Sequence, residues 1–133
     1  MTTRTPSTEE VLAAADAIID AFAATDGERY FAGFAPEASF LFHTEPARLD
    51  DRAAYEALWQ GWVEGGWRVL DCRSTARLVQ AYPGGAVFSH DVATRVDTGE
   101  GEDAYRERET IVFRVDGEQL LAVHEHLSPA SAD

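Results

Sequence analysis

The 133-residue chain contains no lysine, and its basic charge rests on eleven arginines alone. Against them stand 24 acidic residues, for a formal net charge of −13. A surface of that sign repels polyphosphate and anionic lipid, so neither nucleic acid nor a membrane is expected as a partner. There is one cysteine, Cys72, so no internal disulfide can form, and a reducing, cytoplasmic setting is the simplest expectation. No apolar run approaches the roughly 18 residues that span a bilayer. The opening residues lack the basic and then apolar stretches of a signal peptide. Also missing are a phosphate loop, a dinucleotide fingerprint and a G-x-S-x-G elbow, so no cofactor is expected.

What remains is an ordinary globular composition, 45% hydrophobic and 26% charged, in a chain long enough for one domain and too short for two. Residues 1–6 read as a flexible lead and 129–133 as a tail. Ser7 and Glu10 have the spacing of a capping box, and Val11, Ala15, Ile18 and Phe22 follow at helical intervals up to Asp26-Gly27. A second short helix is expected over about 28–34, stopped by Pro36. Residues 39–44 alternate as a strand. Asp50 or Asp51 caps a third helix, whose Tyr55, Leu58, Trp59 and Trp62 form one apolar stripe closed by Gly65-Gly66.

From Trp67 the period changes to two. Four long strands are expected over about 67–81, 86–97, 104–115 and 119–128, joined by turn-like links that make consecutive strands antiparallel neighbours. Helices first and sheet last is an α+β order. In the third long strand, Tyr105, Glu107, Glu109, Ile111, Phe113 and Val115 share the more apolar face. In the last, Leu121, Val123, Glu125 and Leu127 are assigned to the core, with Leu120, Ala122, His124 and His126 outside. Glu109 and Glu125 therefore fall on apolar faces, where a carboxylate must be paired, hydrated or protonated. In the second long strand, Phe88, Val92 and Val96 oppose Ser89, Asp91 and Arg95, and either face could line a pocket.

The stretch Glu107-Arg108-Glu109-Thr110-Ile111-Val112-Phe113, the Asp116-Gly117 turn and Val123-His124-Glu125-His126-Leu127-Ser128 resemble the closing hairpin of SnoaL-like domains. They also resemble the association domain of calcium/calmodulin-dependent kinase II. The resemblance implies the nuclear transport factor 2-like, cystatin-like α+β cone: three N-terminal helices packed in the concavity of a curved antiparallel sheet. It also implies a pocket between helices and sheet, and homodimers through the outer sheet face. Arginines that face the pocket of the kinase domain correspond to Ile111, Leu127 and a position near Asp91 here, so an anionic ligand of that type is not expected. In isomerase-like members an acidic residue near Glu109 donates to an oxyanion, and a base lies near His43.

These observations give two functional expectations. The first is an acid–base enzyme of isomerase, cyclase, dehydratase or hydrolase type acting on a small hydrophobic or aromatic metabolite. His43 or Asp91 would be the base and Glu109 or Glu125 the protonated donor. Tyr55, Trp59, Trp62, Ile111 and Phe113 would wall the pocket. The second is a ligand-binding or dimerising module without turnover. His124 and His126 share a strand face as two metal ligands would, but a structural role beside Arg108 at a dimer interface is preferred and no metal is expected.

Overall fold

The computed structural model describes residues 3–130. Its order is α1 (Thr8–Ala23), α2 (Gly27–Ala32), β1 (Phe34–Phe42), α3 (Arg52–Glu64), β2 (Arg68–Tyr82), β3 (Gly85–Asp97), β4 (Glu102–Asp116) and β5 (Gln119–Pro129). The strands form one sheet in the order β1-β5-β4-β3-β2. Short turns make β2 through β5 an antiparallel meander, as expected. β1 pairs with β5 in parallel, so the sheet is mixed rather than wholly antiparallel. That pairing is non-local, with α3 and the meander between the two strands, and no turn signal announces it.

Ser7 caps α1 by accepting the Glu10 N–H at 3.1 Å, and Asp51 caps α3 by accepting the Ala54 N–H at 2.9 Å. α1 buries Val11, Ala15, Ile18 and Ile19 and runs chiefly against β2, while α3 lies against β1. The helix expected to reach Phe34 ends at Ala32, with Gly33 as its cap. Phe34, Ala35 and Pro36 instead open β1. A proline is tolerated there because β1 is a sheet edge, where a missing N–H costs little.

Within the lead expected to be flexible, Arg4 and Pro6 are held against the domain while Thr3 and Thr5 are exposed. Arg4 grips Glu10 with two 2.8 Å bonds, its carbonyl accepts the Gly84 N–H, and Pro6 is buried. Pro129 belongs to β5 and Ala130 donates to the Arg106 carbonyl, so these two residues of the expected 129–133 tail are held by the sheet; residues 131–133 lie outside the described residues.

The core is aromatic. Tyr30, Phe34, Phe40, Phe88 and Phe113 are at most 2% exposed, and Tyr30 stacks on Trp59 with ring centroids 5.0 Å apart. On β5 the inward face is not a single alternation. Leu120 and Ala122 are buried, as is Glu125. Val112 pairs with His124 while Phe113 pairs with Ala122, so Val123 is an extra residue that reverses the parity of the strand. Leu120 and Ala122 thus join the core, against the strict alternation expected, while Glu125 keeps its inward place and His124 and His126 their outward one.

Candidate active site

The site is built from the ends of three inward-facing rows. On β4 the row Glu107, Glu109, Ile111 and Phe113 faces the helices, and all four are buried. β5 contributes Glu125, which stands opposite Ile111, while Glu109 stands opposite Leu127. Glu109 and Glu125 are therefore diagonal neighbours on one face, within side-chain reach. On β3 the row is Phe88, His90, Val92, Thr94 and Val96, and His90 stands opposite Glu109.

These side chains are joined by short bonds. His90 Nε2 lies 2.6 Å from Glu109 Oε1, and His90 Nδ1 lies 2.6 Å from Ser74 Oγ on β2. The carboxyls of Glu109 and Glu125 are within reach of each other, so a proton on one can be shared with the other. Tyr30 Oη donates to Glu125 Oε1 at 3.2 Å and lies 3.0 Å from Tyr55 Oη. Farther out, His43 Nε2 lies 2.6 Å from Glu107 Oε2. His43 follows the end of β1, and its partner Glu107 is only 6% exposed.

Two connected spaces surround this network. An inner chamber of about 40 Å³ is lined by Tyr30, Tyr55, Cys72, Thr94 and the carboxyls of Glu107, Glu109 and Glu125, among apolar residues of α1. An outer cup of about 450 Å³ is walled by Phe22, Phe42, Tyr55, Trp62, Trp67 and Tyr105, with His43, Glu45, Asp103 and Glu107 among its polar groups. Phe22, Tyr55, Glu107 and Leu127 line both, so the chamber is the floor of the cup. A cup of that volume suits one small molecule, whereas the chamber holds a single polar group of it.

Burial decides the protonation of the floor. It pushes the Glu125 carboxyl well above the usual carboxylate range, and the adjacent Glu109 charge adds to the shift. Burial also raises Glu109 and Glu107, the latter opposed by its bond to His43. Burial, and then the Arg77 charge, lower His90 to about 4, so its imidazole is neutral at pH 7. Tyr30 and Tyr55 are held neutral by burial and by Glu125. The Cys72 thiol is pushed up to about 12 by burial, so it stays protonated and unreactive at neutral pH.

The structure thus brings together Glu109, Glu125 and Tyr55 on the floor and His43 and Trp62 at the cup. It separates the others. Asp91 points to the outer face of the sheet, opposite Arg108, because the inward row of β3 runs through even-numbered residues; it lines neither space. Trp59 is a packing residue against Tyr30 and Phe31. Ile111 and Phe113 are core residues, at most 1% exposed, deeper than the chamber. Arg108, His124 and His126 lie on the outer face, where His124 Nδ1 meets Ser39 Oγ at 2.8 Å. Among the described residues, no three His, Cys, Asp or Glu side chains are placed to hold a metal ion.

Sequence reasoning missed His90, Tyr30 and the pocket role of Glu107. His90 shares the period-two row of Phe88, Val92 and Val96, which was the available signal. Tyr30 carries no such signal, because it comes from a six-residue helix whose placement depends on the whole cone.

The sequence profile of the SnoaL-like domain matches residues 11–132. The chain belongs to the SnoaL-like domain family. Solved structures agree with that placement at the level of fold. A ketosteroid isomerase-like protein from Erwinia carotovora atroseptica superposes with a TM-score of 0.81 at 14% identity, covering 92% of this chain and 95% of that one. An NTF2-like protein from Cytophaga hutchinsonii gives 0.80 at 10% identity, covering 94% and 100%. A calcium/calmodulin-dependent kinase II association-domain-type protein from Xanthomonas campestris gives 0.78 at 16% identity, covering 100% and 97%. No curated protein sequence matches this SnoaL-like domain.

Proposed function

We propose that this SnoaL-like domain is an acid–base enzyme that moves a proton on a small, uncharged, largely aromatic or alicyclic molecule held in the outer cup. The observation that carries the reading is the buried Glu109–Glu125 pair on the floor of an aromatic-walled cup. Two carboxyls in contact away from water cannot both ionise cheaply, so the pair retains a proton at neutral pH. Glu125 is the acid: it delivers hydrogen-bonding to an oxygen that gains charge during reaction, with Thr94 beside it in the chamber. The His43–Glu107 pair, bonded at 2.6 Å where chamber and cup meet, is the base that removes a proton from a carbon next to that oxygen-bearing centre. The product is the rearranged or dehydrated molecule, with the abstracted proton returned at another atom or lost with water.

Substrate charge follows from the walls. Neither arginine nor lysine lines the cup or chamber, while Glu45, Asp103 and Glu107 do, so an anion is rejected by the field at the mouth. The ketosteroid isomerase-like name of one structural neighbour is consistent with such chemistry. The protein works as a homodimer docked through the outer sheet face, where among the described residues Val87, Val112 and Val123 stand half-exposed beside Arg108, His124 and His126.

Exchange of the α-protons of 2-tetralone into deuterated water, followed by NMR, tests this reading. Wild-type protein is expected to accelerate exchange over buffer. Glu107→Gln and Glu125→Gln should each lose at least ~100-fold of that acceleration, the usual contribution of a placed acid or base. If 2-tetralone and the oxyanion mimic 2-naphthol both bind without any exchange, the domain is a binding module. If neither binds, the cup is not a ligand site.

A further inference from the structure

His90 takes no direct part in the reaction proposed above, yet it is 3% exposed and bonded at both ring nitrogens. Its surroundings are settled on every side. Ser74 and Arg77 face it from β2, Glu109 from β4, and Glu125 from β5; Glu107 stands farther along β4, opposite Val92; Asp91 is next to it on its own strand, and Arg77 is itself bonded to Asp16 of α1 at 2.6 Å. The α1 residues that line the adjoining chamber, Ile18, Ile19 and Phe22, are apolar.

A neutral imidazole has one N–H and one lone pair, so the two bonds of His90 run in one direction along the chain of contacts. Two arrangements are available. In one, Ser74 donates to Nδ1, Nε2–H donates to Glu109, and Glu109 is the anion. In the other, a protonated Glu109 donates to Nε2 and Nδ1–H donates to Ser74. The second leaves Glu125 as the anion, served by Tyr30 at 3.2 Å and standing apart from the short 2.6 Å donor. The first gives the anion two donors, the imidazole N–H and the Glu125 O–H. It leaves Tyr30 donating to a neutral carboxyl, and it gives every buried group a partner; among the described residues, no buried side-chain nitrogen or oxygen is unpaired.

We propose that His90 is a positioning residue that decides which carboxyl keeps the shared proton: held by Ser74 as the Nε2–H tautomer, it donates to Glu109, making Glu109 the anion and Glu125 the acid. The direction in which burial and the Glu109 charge move Glu125 agrees with this assignment. It rests on the acid–base reading for its purpose, but not for its geometry. The β2 bulge contributes as well. The register slips between Thr75 and Leu78, with Ala76 at φ 54°, and Ser74 is paired one residue before the slip begins, where its hydroxyl reaches across to β3.

The test uses the full chain without any ligand. Protein labelled with 15N-histidine is examined by long-range 1H–15N correlation between pH 5 and 8. The His90 ring is expected as neutral Nε2–H throughout. A neutral Nδ1–H ring, or an imidazolium at pH 7, overturns the proposal. Infrared spectra of 13C-glutamate-labelled protein then count protonated buried carboxyls at pH 7. Wild type should show one. His90→Leu, which removes the donor to Glu109, should show two. His90→Gln, which can accept from Ser74 and donate to Glu109, should return the count to one. An unchanged count and titration midpoint in His90→Leu overturns the assignment. If His90→Leu does not fold, the ring tautomer in wild type and the count in His90→Gln still decide it. Failure of 2-tetralone and 2-naphthol to bind would remove the acid–base function and leave these spectra unaffected.

Discussion

The chemistry of this domain is concentrated in a few side chains whose ordinary behaviour is reversed by burial. Glu125 is 3% exposed among tyrosines and an adjacent carboxyl, and its folded form holds its proton to a higher pH than the unfolded chain does. Between those two titrations the folded state binds more protons, so this residue makes stability fall as pH rises. Glu125→Gln removes the cost while keeping the shape. Its Tm should equal or slightly exceed that of wild type near pH 4.5 and exceed it increasingly toward pH 8, about 4 °C for each 1 kcal/mol in a domain of this size. Thermal scans at a series of pH values check this; a Tm advantage that shrinks with rising pH would contradict it. His90 works in the opposite sense. Its ring titrates at about 4 when folded against 6.5 when free, so the unfolded chain gains a proton first and stability is lost as pH falls through that window. A separation of that size is worth on the order of 3 kcal/mol. His90→Gln should therefore lose less stability than wild type between pH 6.5 and 4 in urea titrations.

At the scale of elements, backbone irregularities aim these side chains. The extra residue Val123 in β5 lets Leu120 and Ala122 fill the core beneath while Glu125 remains turned into the chamber above. The slip in β2 interrupts regular pairing after Thr75, and Arg77 within it turns to Asp16 of α1 and over the Phe88 ring at 5.3 Å. The tight turn into β3 leaves no such freedom. A Cβ at Gly85 would lie 2.2 Å from the Phe113 carbonyl oxygen, which belongs to the next strand and cannot move without breaking the pairing. Gly85→Ala should cost about 2 kcal/mol or more, within the range of overpacking a rigid site, read as a lower urea midpoint at unchanged m. An unchanged midpoint would mean that the turn yields.

For the whole molecule, the cone sets one sheet face against helices and, among the described residues, leaves the other bare. The bare face carries Arg106, Arg108, His124 and His126, and the last two rings are 6.2 Å apart. If two copies meet there, any positive charge that histidine gains on acidification adds to a face already holding arginine. Sedimentation should then give a dimer at pH 8 that weakens at pH 5, and Arg108→Glu should alter the association at both. An identical dimer mass at the two pH values would place the interface elsewhere. No helix among the described residues is long and apolar enough to cross a membrane.

The amino-acid pattern by itself determined the order of elements and most of their faces, because the relevant signals are local. Ser7 and Asp51 cap, Tyr55, Trp59 and Trp62 repeat at helical spacing, and Glu107 to Phe113 alternate. It also marked Glu109 and Glu125 as carboxyls on apolar faces. Tertiary structure alone decided three matters: that β1 runs parallel beside β5, that Val123 resets the parity of β5, and that His90 rather than Asp91 meets Glu109. Each depends on strand register, which is fixed by packing between segments distant in sequence. A shift of one residue sends every side chain of a strand to the opposite face, so the identity of the site turns on a quantity that no single strand encodes.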